Sequence, residues 1–171
     1  MKKLNLSIVL FLITLGLLFS ASLICAEMAK EGSGHYRSGK TGTFDVIALG
    51  KDRFQLNYDE TGAIVEAPEN SPLTNATYRT IGTQYGIKGK YKGSGGLVLT
   101  RPNGDQIFGV YEFDGVVETG IQTGIIEIIG GTGECAGIEG TMEMLPRPVT
   151  KTSKEGAYQG IGIGKITWKI P

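Results

Sequence analysis

From residue 43 to the C terminus, apolar and polar side chains alternate with a period of two, in short runs separated by turn residues. That period puts successive side chains on opposite faces of an extended chain, so it predicts β-strands and not helices. Phe44, Val46 and Ala48 alternate with polar or smaller partners, Gly50-Lys51-Asp52 turns the chain, and Phe54, Leu56 and Tyr58 alternate with Gln55, Asn57 and Asp59. This is a first hairpin. After a polar loop holding Pro68 and Pro72, residues 77 to 92 read as extended. There Ile87, Gly89 and Tyr91 take one face and Lys88, Lys90 and Lys92 take the other, a solvated outer face. Residues 97–101 and 105–113 flank Pro102-Asn103-Gly104, whose Asn-Gly pair predicts a tight hairpin through positive φ angles.

The second half continues in the same way. Residues 123–129 form a strand candidate, Ile138, Gly140, Met142 and Met144 alternate with Glu139, Thr141 and Glu143, and a Pro-bearing loop over 145–156 leads to a last strand over 157–170. Eight or nine strands with no helical pattern of useful length predict an all-β fold, a closed antiparallel barrel of about eight strands. Closure removes unpaired edges, and glycine relieves crowding where strands coil. Residues 27–42, with Gly32, Gly34 and Gly39 among polar residues, show neither period and read as a flexible lead-in to a single barrel domain over 43–171.

The N terminus is of a different kind. Met1-Lys2-Lys3 precedes an apolar run over 8–19, broken only by Thr14 and Gly16, and then Ser20-Ala21-Ser22. This is the build of a secretory signal peptide over residues 1–26, cleaved after Ala26, and it predicts a periplasmic or secreted protein of bacterial type. Two alternatives would tether the chain to the membrane. One is an uncleaved anchor drawn from residues 4–26. The other is a lipoprotein acylated at Cys25, against which stands the bulky Ile24 just before the cysteine. Cleavage also removes one of the two cysteines, leaving Cys135 without an intramolecular partner and best suited to buried packing.

Composition sharpens the picture. The mature chain would carry 15 basic and 17 acidic residues, a balance that excludes the basic excess of a nucleic-acid binder. Of its 145 residues 26 are glycine, against a usual share of about 7%, which argues against long helices. Two motifs tempt a nucleotide reading. Residues 34–41 match the P-loop pattern at every fixed position, and residues 131–136 match G-x-G-x-x-A. Both mechanisms need a helix directly after the loop to aim its N-terminus at phosphate, and neither run is followed by a helical pattern. His35, the sole histidine, stands in the lead-in, so the sequence offers no His-based triad or metal site and implies no cofactor.

The run Gly130-Gly131-Thr132-Gly133-Glu134-Cys135-Ala136-Gly137-Ile138-Glu139-Gly140 resembles the GGTG-x-[YF]-x-G-[IA]-x-G signature of the allene oxide cyclase and dirigent-like barrel superfamily. Small exported bacterial proteins of that kind carry a D-G-D-x-[IV]-[FY] hairpin and a Gly-Lys-x-x-W-x-x-P ending. Residues 103–108 and 164–171 resemble these, so the likeness covers roughly the C-terminal two thirds. It implies an eight-stranded antiparallel barrel, trimeric in many of the plant enzymes, whose apolar cavity steers a reactive intermediate with a few polar groups. No position here matches those groups, and Cys135 replaces the usual aromatic.

The functional expectation is therefore a barrel that binds a small apolar or aromatic ligand, with Tyr111 and Trp168 as candidate lumenal ligand-binding residues. A cyclase or isomerase-type enzyme is the alternative, with Glu127 as its acid–base candidate: Glu127 shares a strand face with Ile125 and Ile129, and burial of that face would raise its pKa, whereas if that face is the outer one Glu127 is simply paired or exposed. The same strand is apolar on both faces, with Ile126 and Ile128 on the other, and Phe108 and Val110 repeat the pattern opposite Ile107 and Tyr111. Part of the outer wall is thus expected to be covered, by another subunit of a homo-oligomer or by the N-terminal segment. A structural or envelope-interaction role is the third possibility.

Overall fold

A computed structural model describes residues 27–147, 150–151 and 154–171; residues 1–26, for which an export signal or an acylated Cys25 is expected, lie outside them. The strands are β1 (Glu31–Ala48), β2 (Arg53–Glu66), β3 (Thr77–Ile87), β4 (Lys90–Thr100), β5 (Gln106–Val116), β6 (Gln122–Gly131), β7 (Glu139–Arg147), β8 (Thr150–Lys151) and β9 (Ala157–Lys169). Each pairs antiparallel with the next around the wall, β7 passes directly to β9, and β9 pairs with β1 to close an eight-stranded barrel. The two-residue β8 adds only to β9. No α-helix occurs among the described residues; the single helical element is a 3₁₀ turn, Gly133–Cys135.

Two expectations about the strands need correction. Residues 77–92 are not one extended run: the chain reverses at Lys88 (φ +49°) and Gly89 (φ +78°) between β3 and β4, so Ile87 is exposed while Tyr91 is buried. The supposed lead-in is wall: β1 begins at Glu31, and residues 31–43 pair with β9 along their whole length, Glu31 opposite Lys169 and Thr43 opposite Ala157. The period of two is hidden there because inward positions hold Gly32, Gly34, Tyr36, Ser38 and Lys40, which no hydropathy scale groups together. The P-loop-like run 34–41 is extended strand, and His35 is exposed on the outer wall.

At the barrel's first end lie the β1–β2, β3–β4 and β5–β6 turns, and at the other lie the β2–β3, β4–β5 and β6–β7 connections. The second end is closed. Leu73 and Ala76 of the β2–β3 connection are fully buried against Leu99, Ile107, Cys135, Ile138, Ile166, Trp168 and Ile170. Backbone hydrogen bonds tie this plug in place, from Ala29 N to the Asn70 carbonyl at 2.8 Å and from Ile64 N to the Ala76 carbonyl at 2.8 Å. The glycine-rich signature belongs to the same end. The Thr132 hydroxyl accepts from Gln106 N at 2.8 Å, Asp105 accepts from Glu134 N at 2.9 Å, and Arg101 donates to Glu134 at 2.7 Å. Gly133 has φ +56° and lies so close to the Asp105 carboxylate that a Cβ would collide with it. The motif is a clasp between the β4–β5 and β6–β7 connections. In the β4–β5 turn, Gly104 alone takes positive φ (+90°), and Gly104 N bonds to the Arg101 carbonyl at 2.9 Å. With Pro102 next in line this is a type I turn followed by a left-handed glycine, a longer loop than the Asn-Gly pair suggested.

Eight inward glycines share one arrangement. Each stands directly across from an inward aromatic on the neighbouring strand: Gly32 from Trp168, Gly62 from Tyr78, Gly82 from Tyr58, Gly86 from Phe54, Gly93 from Phe113, Gly95 from Tyr111, Gly115 from Tyr91 and Gly164 from Tyr36. In every case the ring covers the glycine so closely that a Cβ would overlap it. The rings therefore lie along the wall instead of projecting to the axis, and glycine serves contact more than bending.

This pairing can be tested by two neighbours. Gly95→Val should cost about 1–3 kcal/mol in urea unfolding because the Tyr111 ring must leave its seat. Gly96→Val, on the outer face where a Cβ meets nothing within 4 Å, should remain within about 0.5 kcal/mol of wild type or exceed it.

Candidate functional site

Because the rings lie against the wall, the lumen is not filled. A cavity of about 550 Å³ occupies the barrel between the plugged end and the opposite mouth, where Phe44, Phe54, Gln84, Tyr91, Val117 and Gln122 line its approach. Its walls are mostly apolar, with Leu56, Leu97, Phe113, Ile126 and Met142 among them. Phe113 is the centre of the aromatic lining, stacked on Tyr111 (centroids 6.1 Å, 24°) and edge-on to Tyr91 (6.1 Å, 75°).

Polar groups enter this cavity in two linked sets. The first is built on Glu60, inward on β2 and only 7% exposed. Its Oε1 accepts from the Tyr78 hydroxyl at 3.1 Å, its Oε2 accepts from the Tyr158 hydroxyl at 2.8 Å, and Lys40 Nζ stands 3.2 Å from Oε2. Three strands besides its own, β3, β9 and β1, thus converge on one carboxylate. The second set is built on Tyr111, whose hydroxyl lies 2.7 Å from that of Tyr58 and 2.5 Å from that of Thr80, and donates to the Ile81 carbonyl at 3.4 Å. Tyr58 and Glu60 are successive inward residues of β2, and Tyr78 and Thr80 of β3, so strand geometry alone sets the two groups side by side.

Burial governs the protonation of the tyrosines. It pushes Tyr36 up to about 12 and raises Tyr58, Tyr78, Tyr111 and Tyr158 above the ordinary phenol value; the Glu60 charge adds to the effect at Tyr78 and Tyr158. All of them are neutral donors at physiological pH. The site can therefore hold hydrogen-bonding groups and one compensated ion pair. Among the described residues no three His, Cys, Asp or Glu side chains gather to hold a metal ion.

Tyr111 lies in the lumen. Trp168 does not line the cavity: it is buried at the plugged end over Gly32, and its Nε1 donates to the Ala29 carbonyl at 2.9 Å. Glu127 is exposed on the outer wall between exposed Ile125 and Ile129, because β6 turns Ile126 and Ile128 inward. The lumenal carboxylate is Glu60 instead. Its signal was available in the alternation Phe54, Leu56, Tyr58, Glu60, Gly62, Ile64, which puts one acid on an apolar face. Lys40, Tyr78 and Tyr158 had no comparable signal. Cys135 is fully buried in the plug.

No family model and no curated protein matches the chain. Two solved structures are similar to it. One is a protein of unknown function of the DUF3224 family from Shewanella oneidensis MR-1, 15% identical over 82% of this chain and 98% of that one, with a TM-score of 0.47. The other is a pterocarpan synthase dirigent protein, 12% identical over 89% of this chain and 97% of that one, with a TM-score of 0.49.

Raised phenol pKa values translate into a pH dependence of stability. Where the folded value exceeds the unfolded value near 10, the contribution is full below pH 10 and is lost as pH rises from there toward the folded value. Absorbance at 295 nm should show Tyr36, Tyr58, Tyr78 and Tyr158 silent at pH 10–11 in the folded protein, and urea midpoints should fall over that range. Tyr78→Phe and Tyr158→Phe should make that fall shallower.

Proposed function

We propose that this barrel binds a small, largely apolar, ring-bearing molecule in its lumen, and that the Glu60 and Tyr111 groups orient one polar substituent of that molecule. The observation that carries the reading is the cavity itself: open at one end, plugged at the other, walled by aromatic and aliphatic side chains, and polar along one part of the wall. Its volume, about 550 Å³, falls inside the range of roughly 300–1,000 Å³ common for ligand pockets. The sequence of residues 1–26 supports placing this activity outside the inner membrane.

A second reading is acid–base catalysis of isomerisation or cyclisation on such a ligand. It is favoured by Glu60, a carboxylate held inside an apolar cavity, which could exchange a proton with such a ligand. Self-association is a separate proposal, supported by exposed Val110, Ile125 and Ile129 on adjacent strands of the outer wall.

Binding is tested with prodan (6-propionyl-2-dimethylaminonaphthalene), a neutral fluorophore whose emission moves to the blue in apolar surroundings. A saturable one-to-one blue shift is expected, weakened at least tenfold in Leu56→Trp, which fills the lumen. Absence of saturable binding to the folded wild-type protein would overturn the reading.

A further inference from the structure

We propose that the lumen selects neutral ligands and rejects anionic ones, and that Glu60 is the residue that sets this selectivity; the proposal rests on the lumenal binding reading above. The cavity lining carries charge in equal measure. Lys40 and Glu60 stand deep in the barrel, and Lys154 and Glu155 stand at the mouth. The deep pair is an ion pair at 3.2 Å whose side chains are only 15% and 9% exposed.

A cationic lysine in an apolar lumen would ordinarily draw a carboxylate or sulfonate ligand, as in many fatty-acid or aromatic-acid sites. Here that attraction is already met from within. An entering anion would have to give up its hydration and then share one ammonium with Glu60, setting two like charges against each other where water screens poorly. The hydroxyls nearest the pair do not relieve this, since Tyr78 and Tyr158 already donate to Glu60 and the Tyr58–Tyr111–Thr80 hydroxyls are engaged with one another. A phenol or ketone meets no such opposition. It can accept from the N–H groups of Lys40 not turned to Glu60, or join the hydroxyl chain, while its ring occupies the space beside Phe113.

The selectivity should therefore be reversible by one isosteric change. Glu60→Gln keeps the side-chain shape and leaves Lys40 uncompensated, which converts the lumen into an anion site. Lys40→Met together with Glu60→Gln removes both charges and should restore the preference for neutral ligands.

The experiment is competition against prodan at pH 7 with a matched pair, 2-naphthol and 2-naphthoate, on wild type, Glu60→Gln and the double variant, each confirmed folded by circular dichroism. Wild type should take 2-naphthol at least tenfold more tightly than 2-naphthoate. Glu60→Gln should shift the ratio toward 2-naphthoate by at least tenfold, and the double variant should return to the wild-type order. Equal displacement by both compounds in wild type would overturn the proposal, with prodan binding still upholding the lumenal site. An unchanged ratio in Glu60→Gln would also overturn it, and if Glu60→Gln does not fold, a double variant that favours naphthoate would do so instead. Failure of prodan to bind wild type would remove the binding reading itself and the selectivity with it.

Discussion

An eight-stranded barrel normally has an interior just wide enough for its own side chains, so an open lumen requires a specific arrangement of large and small residues. This chain meets that requirement by setting a glycine across from most of its large inward rings. Tyr111 over Gly95, Phe113 over Gly93, Tyr91 over Gly115 and Tyr36 over Gly164 each bury one face of the ring against backbone. The apolar area removed from water supports the wall, and the axis is left free. Were the glycines replaced by residues with a Cβ, the rings would have to swing inward and the cavity would become core. Stability and lumen thus come from the same contact.

The polar cluster is tolerable in such an interior because its members are nearly all satisfied. Glu60 has two tyrosine donors and one ammonium, and Tyr111 has partners on both sides of its hydroxyl. A buried charge without these partners would cost several kcal/mol. Convergence from β1, β2, β3 and β9 also ties the barrel's closing seam to its neighbours. Lys40 and Tyr158 stand on the two strands that complete the wall, and both end at the same carboxylate of β2.

What the sequence revealed follows from where periodicity was visible. The antiparallel barrel was legible in the hairpins at 44–58 and 97–113, where large apolar residues alternate with polar ones. It failed at residues 31–42, whose inward positions are glycine, serine, lysine and one tyrosine, although the pairing of this segment with β9 is what closes the barrel. The inward face of Tyr111 was readable. Trp168 was read correctly as inward and wrongly as lumenal, because a strand pattern gives the face of a residue but not its height along the axis, and Trp168 stands at the plugged end. Glu127 illustrates a different limit. With isoleucines on both faces of β6, alternation cannot say which face is core, and only the closed wall decides.

The two ends of the barrel divide the labour. At the plugged end, the Gly130–Gly140 run, Asp105, Arg101 and the buried Leu73 are committed to closure, which accounts for the unusual backbone geometry found there. A motif concentrated at that end describes how the barrel is sealed and says little about what enters it. The chemistry lies one layer up, where β2 and β3 carry Tyr58, Glu60, Tyr78 and Thr80 on successive inward positions. None of these four side chains hydrogen-bonds to the clasp residues Arg101, Asp105, Thr132 or Glu134. In this chain that middle layer is a neutralised ion pair ringed by phenols.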